Sequence, residues 1–252
     1  MRLCLPGGIP FPTVIATPPA FPDATNTGVP PGTVLTNTSG RTITTNGLTI
    51  NAENISGTLT IQANNVTVQN CKLNGGGANY GIQIRDDLGF GNLTVKDCEI
   101  FNAQNCIASA GLVQRCNIYN MENGVNFFGP TIMEDCYLHD FGWTGSPHYD
   151  GTECNGGGNH TIRHNTIILN FNFTGCVQFN NFFAGVSNCS ITGNYLEGGS
   201  YVIYNDASQG PQPIVGSTMV YRNNSIKLRG AFGAVFERDC TVDFDASNTV
   251  IP

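Results

Sequence analysis

The stretch VQNCKL at 68–73 decides the fold, because it returns as VKDCEI at 95–100, VQRCNI at 113–118, MEDCYL at 133–138, IRHNTI at 162–167, ITGNYL at 191–196 and YRNNSI at 221–226. The fourth position of each copy is Cys71, Cys98, Cys116, Cys136, Asn165, Asn194 or Asn224, and two residues later stands Leu or Ile every time. The spacings are 27, 18, 20, 29, 29 and 30 residues, so a fixed strand motif alternates with loops of variable length. Such a period is the mark of stacked repeats. It predicts one winding of the chain per copy, a parallel β-helix.

A second ladder runs between the copies. YGIQI (80–84), NCIAS (105–109), NGVNF (123–127), DGTEC (150–154), GCVQF (175–179) and YVIYN (201–205) align without gaps. Their third positions, Ile82, Ile107, Val125, Thr152, Val177 and Ile203, suit an inward face, and alternation then points the fourth positions outward. Seven or eight coils stacked about 4.8 Å apart give a rod on the order of 35–40 Å. The expected class is all-β, a single-stranded parallel solenoid with almost no helix, since apolar spacing of the helical kind is not sustained anywhere.

Three regions follow. Residues 1–45 hold eight of the thirteen prolines and read as an arm or cap, residues 46–239 carry the coils, and residues 240–252 finish the stack. Only 12% of residues are charged, and the net charge is −7 with 11 Lys plus Arg, which argues against a nucleic-acid partner. No apolar run is long enough to span a membrane, and no secretory leader is visible at the start. Ten cysteines suggest disulfides, yet four share one ladder position, so buried thiols are the preferred reading. No C-x-x-C pair is present to hold zinc, and no metal or cofactor is expected. Asn-x-Ser/Thr triplets at Asn37, Asn54, Asn65, Asn92, Asn159, Asn172 and Asn188 read better as turn residues than as glycan acceptors.

FPDATNTGVPPGTVL at 21–35 and HYDGTECNGGGNHTIRHNTI at 148–167 resemble segments of pectate-lyase-like, right-handed β-helix proteins of bacteria and their phages. That resemblance implies right-handedness and a superfamily that spans lyases, hydrolases, epimerases, tailspikes and non-catalytic binders. The paired aspartates of its polygalacturonases are not matched, because the coil after DGTEC reads GCVQF.

Chemistry concentrates at 148–164. His148, Asp150 and Glu153 are the candidate catalytic residues: two carboxyls for acid–base work, or His148 as the base. Gln83, Asn126, Gln178 and Tyr204 share the outward row of Glu153, and with Arg163 and His164 they are candidate substrate-binding residues. Asp86 and Asp87 read as a turn rather than a calcium site. Each of these residues also has a plain structural role available, as turn, bend or solvated face.

Two functions stay open. One is a virion-associated, tailspike-like protein on a phage tail or surface that recognises host polysaccharide. It docks to other virion proteins through its arm and forms a homotrimer, as the resembled phage proteins do. The alternative is an extracellular polysaccharide hydrolase or lyase with its groove around His148–Glu153.

Overall fold

The computed structural model describes residues 20–170 and 174–252. Part of the Pro-rich arm, residues 1–19, and the triplet at Asn172 lie outside them. Nearly all strand pairing is parallel, and each strand bonds to its counterpart one repeat further on. The two ladders stand in the register read from the sequence. Ile107 pairs with Val125, Val125 with Thr152, Thr152 with Val177, and Val177 with Ile203. Leu138 pairs with Ile167 and Ile167 with Leu196. A third inward row, Val95, Val113, Met133, Ile162 and Ile191, lines the smaller sheet. All these side chains are fully buried. At about 1.5–3 kcal/mol per large apolar side chain, the three rows are the main source of stability.

The expected class needs correction in how the ladders join. The larger sheet has 15 strands. Its path runs Gly233–Arg238, Tyr201–Asp206, Gly175–Asn180, Asp150–Cys154, Asn123–Phe127, Glu99–Ser109, Asn117–Tyr119, Tyr137–His139, Thr166–Leu169, Tyr195–Gly198, Ser225–Lys227, Thr249–Ile251. Glu99–Ser109 is the fold in that path: its first residues pair with Asn117–Tyr119, its last with Asn123–Phe127. Thr36–Ile43, Glu53–Ile61 and Lys72–Ile84 join the sheet beside it and likewise run unbroken through the bend. The two ladders are therefore one continuous sheet that curls back on itself. With a nine-stranded sheet from Thr49–Asn51 to Asp243–Phe244 it encloses the core as a nearly closed, barrel-like wall.

One seam stays unsealed, since Gly233–Arg238 and Thr249–Ile251 end the path without pairing to each other. This wall stands in place of the open right-handed solenoid of separate short strands, and the pectate-lyase-like assignment built on that solenoid is corrected with it. The physical reason is local: residues 74–79 carry the chain through the bend without ending Lys72–Ile84, with Gly76 and Gly77 left-handed at φ 66° and 80°. Short 3-10 turns at Asp86–Leu88 and Gly216–Thr218 are also present.

The bends obey a simple rule. The residue before each Cys or Asn of the first ladder is left-handed: Asn70, Asp97, Arg115, Asp135, His164, Gly193 and Asn223 all have φ between 49° and 65°. Asn, Asp and Gly tolerate that region best. Asn65, Asn92, Asn159 and Asn188 make a second left-handed column ahead of the smaller sheet's strands, which accounts for four of the Asn-x-Ser/Thr triplets as bends.

The nine described cysteines are all free thiols, and eight are buried. Residues 20–35 pack along the chain's own strands. The Phe21 ring stacks on His164 and tilts against Tyr195, and the Gly28 N–H donates to the Arg115 carbonyl.

Candidate functional site

Two rows of polar side chains flank the bend that precedes the second ladder's inward residues. Asn105, Asn123 and Asp150 form one row, in register on adjacent strands. Gln83, Ala108, Asn126, Glu153, Gln178, Tyr204 and Phe236 form the other. Four proposed positions, Gln83, Asn126, Gln178 and Tyr204, thus share one row with Glu153. The rows meet through amides. Asn126 Nδ2 donates to Glu153 Oε2, which also accepts Asn123 Nδ2 at 3.2 Å, while Asn155 Nδ2 donates to Oε1 at 2.8 Å. Asn123 Nδ2 reaches Asn105 Oδ1 at 2.9 Å.

Several acceptors in these rows are left over. Asn123 Oδ1, Asn126 Oδ1 and Asp150 Oδ1 are buried without a hydrogen-bond partner. Buried polar atoms are ordinarily satisfied, so a cluster of three beside a carboxylate calls for an explanation.

The surroundings raise both carboxyls above their ordinary values. Burial pushes Asp150 well above the usual carboxylate range, and the charges of Glu153 and Glu122 push in the same direction. Burial also raises Glu153; the Asn155 amide partly offsets this, and Glu122 adds to it. Glu122 itself accepts Gln104 Nε2 at 2.7 Å and the backbone N–H of His148 at 3.0 Å.

Glu153 opens into a groove of about 430 Å³ that Asp86, Asn126, Phe128, Asn155 and Phe183 also line. Asp86 enters from the 3-10 turn after Lys72–Ile84, and burial lifts its carboxyl above the normal value. Phe183 is 79% exposed and Phe128 37% exposed, so both present ring faces to solvent. Among the described residues that line this groove there is no Lys or Arg. A second cavity of about 430 Å³ lies further along the same row, lined by His148, Gln178, Tyr201, Tyr204, Phe232 and Phe236 among others.

The proposed residues therefore divide. Asp150 and Glu153 stand three residues apart on one strand, in the two different rows, with His148 at the neighbouring cavity. Arg163 and His164 lie elsewhere, on the smaller sheet and its bend, where Arg163 pairs with Glu134 and His164 with Asp135 at 2.6 Å. Asp86, Glu122, Asn155, Phe128 and Phe183 were not picked out as site residues by their sequence context. Only the two carboxylates carried a signal, as charged residues in a chain that is 12% charged. No group of three or more His, Cys, Asp or Glu side chains arranged to hold a metal ion occurs among the described residues.

The virion reading is corrected here, together with its phage and tailspike vocabulary. A nearly closed wall that carries a ladder of buried polar residues, beside two carboxyls raised above their ordinary values, has the makings of an active site rather than of a passive adhesive surface. No helix among the described residues is long and apolar enough to cross a membrane. Comparison with family models, with curated proteins and with solved structures finds no match for this chain.

Proposed function

We propose that the protein is a polysaccharide hydrolase that cleaves a neutral glycan in the groove between Glu153 and Asp86. The observation that carries this reading is Glu153: a carboxyl raised by burial and by the neighbouring Glu122, facing a groove that a second carboxyl shares. Glycoside hydrolysis asks for such a pair, one group to give a proton and one to act as a base. Glu153 donates its proton to the glycosidic oxygen as the C–O bond breaks. Asp86, the less buried of the two, acts as the base and takes a proton from the water that attacks the anomeric carbon. The fixed amides of Asn123, Asn126 and Asn155 hold the Glu153 carboxyl in place and receive its charge once the proton has left. Phe128 and Phe183 offer flat apolar faces for the C–H side of a sugar ring.

Lyase chemistry fits less well. Elimination from a uronate needs positive charge beside the substrate carboxylate, and this groove presents carboxyls instead. The polymer expected is a neutral one met outside a cell.

The test is to incubate the protein with neutral polysaccharides (β-1,4-glucan, β-1,3-glucan, xylan and starch) and with polygalacturonate and alginate, measuring reducing ends and ultraviolet-absorbing unsaturated ends. Reducing ends from a neutral polymer, lost in Glu153→Gln, are the expected result. Unsaturated ends from a uronate polymer, or no cleavage of any of them, overturn the proposal.

A further inference from the structure

The row that holds Glu153 does not stop at the groove. Gln178, Tyr204 and Phe236 follow it in register, one per strand, and all lie on the outer face. Tyr204 and Phe236 stack at 4.3 Å between centroids, with their planes 13° apart. Tyr201 packs against Phe236 at 5.1 Å and against Phe232 at 6.0 Å, and Phe232 is 79% exposed. A cluster of four aromatic rings on the outside of a sheet, open to a cavity of about 430 Å³, is not explained by core packing. The cavity's other walls are polar, with Gln178, Asn180 and Gln209 as amide donors and acceptors. Tyr204 and Phe236 face each other, so the surface they turn to the cavity, with the exposed Phe232 beside it, is aromatic and bordered by amides, which suits a hydroxyl-rich ring that has one apolar face.

We infer that Tyr201, Tyr204, Phe232 and Phe236 form a second sugar-binding platform, so that one neutral polysaccharide chain lies across the strands along the row and is cut in its interior. The inference rests on the hydrolase reading for the position of the cut, but the platform itself stands on the rings. Strands are about 4.8 Å apart, which places Tyr204 about 10 Å and Phe236 about 14 Å from Glu153 along the row. A pyranose unit in an extended glycan advances by about the same distance as one strand. The platform therefore receives sugars about two to three units from the cleaved bond. Arg238 lies over the Phe236 ring at 5.2 Å but is also engaged by Asp206 at 3.5 Å, so the platform's one nearby cation is already paired. That again favours an uncharged polymer.

The experiment uses cellohexaose, xylohexaose and maltohexaose against the corresponding disaccharide aryl glycosides, with wild type, Tyr204→Ala, Phe236→Ala and Phe232→Ala. Phe232 projects so far into solvent that its loss leaves the fold alone, and it serves as the control for misfolding. Each truncation is expected to lower the ratio of hexasaccharide to disaccharide kcat/KM about three- to tenfold, the worth of one aromatic stacking contact. Calorimetric binding of the preferred hexasaccharide to Glu153→Gln is expected to weaken by the same factor when a platform ring is removed. Turnover whose length ratio is unmoved by all three truncations overturns the platform and leaves the hydrolase standing. Hexasaccharide binding that depends on the rings, without turnover of any glycan, supports the platform while the hydrolase reading falls. Neither binding nor turnover overturns both.

Discussion

Two polar ladders run through this molecule, and they end in opposite conditions. In the first, Asn165, Asn194 and Asn224 stand one above another in the interior, and the half-buried Asn248 ends the column. Each Oδ1 accepts the backbone N–H of the residue one repeat earlier, at 2.9–3.1 Å. Each Nδ2 donates to a carbonyl of the neighbouring repeat, at 2.8–3.0 Å. In the second, at the groove, Asn123, Asn126 and Asp150 each retain a buried oxygen with no partner. The device is the same, a polar residue repeated in strand register. The closed ladder has committed its hydrogen-bonding capacity to the fold, whereas the open one holds some in reserve for a ligand. Breaking one ladder should therefore cost stability, and breaking the other should cost function.

The largest effect is expected at the centre of the closed ladder. Asn194→Ala orphans the Asn165 N–H in the core and takes the amide donor away from the Ile162 carbonyl. At roughly 1–3 kcal/mol per stranded buried group, with lost packing added, the cost is about 3–5 kcal/mol in urea unfolding. A loss below about 1 kcal/mol would mean that the ladder is ornamental.

Glu153→Gln makes the reverse claim. Removing the acid is expected to lower turnover of the neutral polymer about a hundred- to ten-thousandfold, with a far smaller effect on unfolding, because relief of a carboxyl beside Glu122 and Asp150 offsets the amide donor that loses its acceptor. Equal losses of stability and activity would place Glu153 in the closed class.

The titration of the groove sharpens the same contrast. Asp150 and Glu153 have folded pKa values raised above their unfolded ones, so the folded state holds protons that the unfolded state has released. Their contribution is full below about pH 4 and is lost as pH rises through the folded values. His160 has the opposite sign: burial brings it down from 6.5 to about 4. Its contribution is present above about pH 6.5 and is lost as pH falls towards 4. Urea midpoints of wild type and Asp150→Asn between about pH 4 and 8 separate the two. The variant should gain on wild type as pH rises, and a gap that stays constant with pH would rule out a raised Asp150.

How much of this was legible beforehand follows from what each feature depends on. The register of both ladders was readable, because one aliphatic residue per repeat has to face inward, and Leu73 to Ile226 keep that place through loops of every length. The joining of the ladders was not, because glycines at 75–77 carry no side chain that marks a strand, and the strand is held on either side of them by pairing of Asn74 and Ala78 with Glu99–Ser109. Glu153 could be placed on its row by counting. Asp86 and Phe183 could not, since they come from loops between strands, where no periodicity constrains position. Asn248 was passed over for a different reason. The final repeat, DASNTV at 245–250, has Asp245 at the first aliphatic position of the motif and keeps only the amide and the Val250 that follows it.

The smallest effect expected is also the most discriminating test of the closed ladder. Cys136 occupies the same ladder position as Asn165 and makes a weaker version of its contacts. Its Sγ lies 3.2 Å from the Glu134 carbonyl and 3.7 Å from that of Val113, and it accepts the Cys116 N–H at 3.4 Å. Asn165 makes the equivalent bonds at 3.0 Å to the Arg163 and Met133 carbonyls and 2.9 Å to the Cys136 N–H. An amide at 136 therefore finds each of its partners already in position. Cys136→Asn should extend the amide ladder by one rung and change the unfolding free energy by less than about 1 kcal/mol, because new hydrogen bonds offset desolvation of the amide. Cys136→Leu, which adds volume and has no polar group to offer, should lose about 1–3 kcal/mol. If the order of the two variants were reversed, the column would be held by apolar packing alone, and the run of Asn residues beyond it would need another cause.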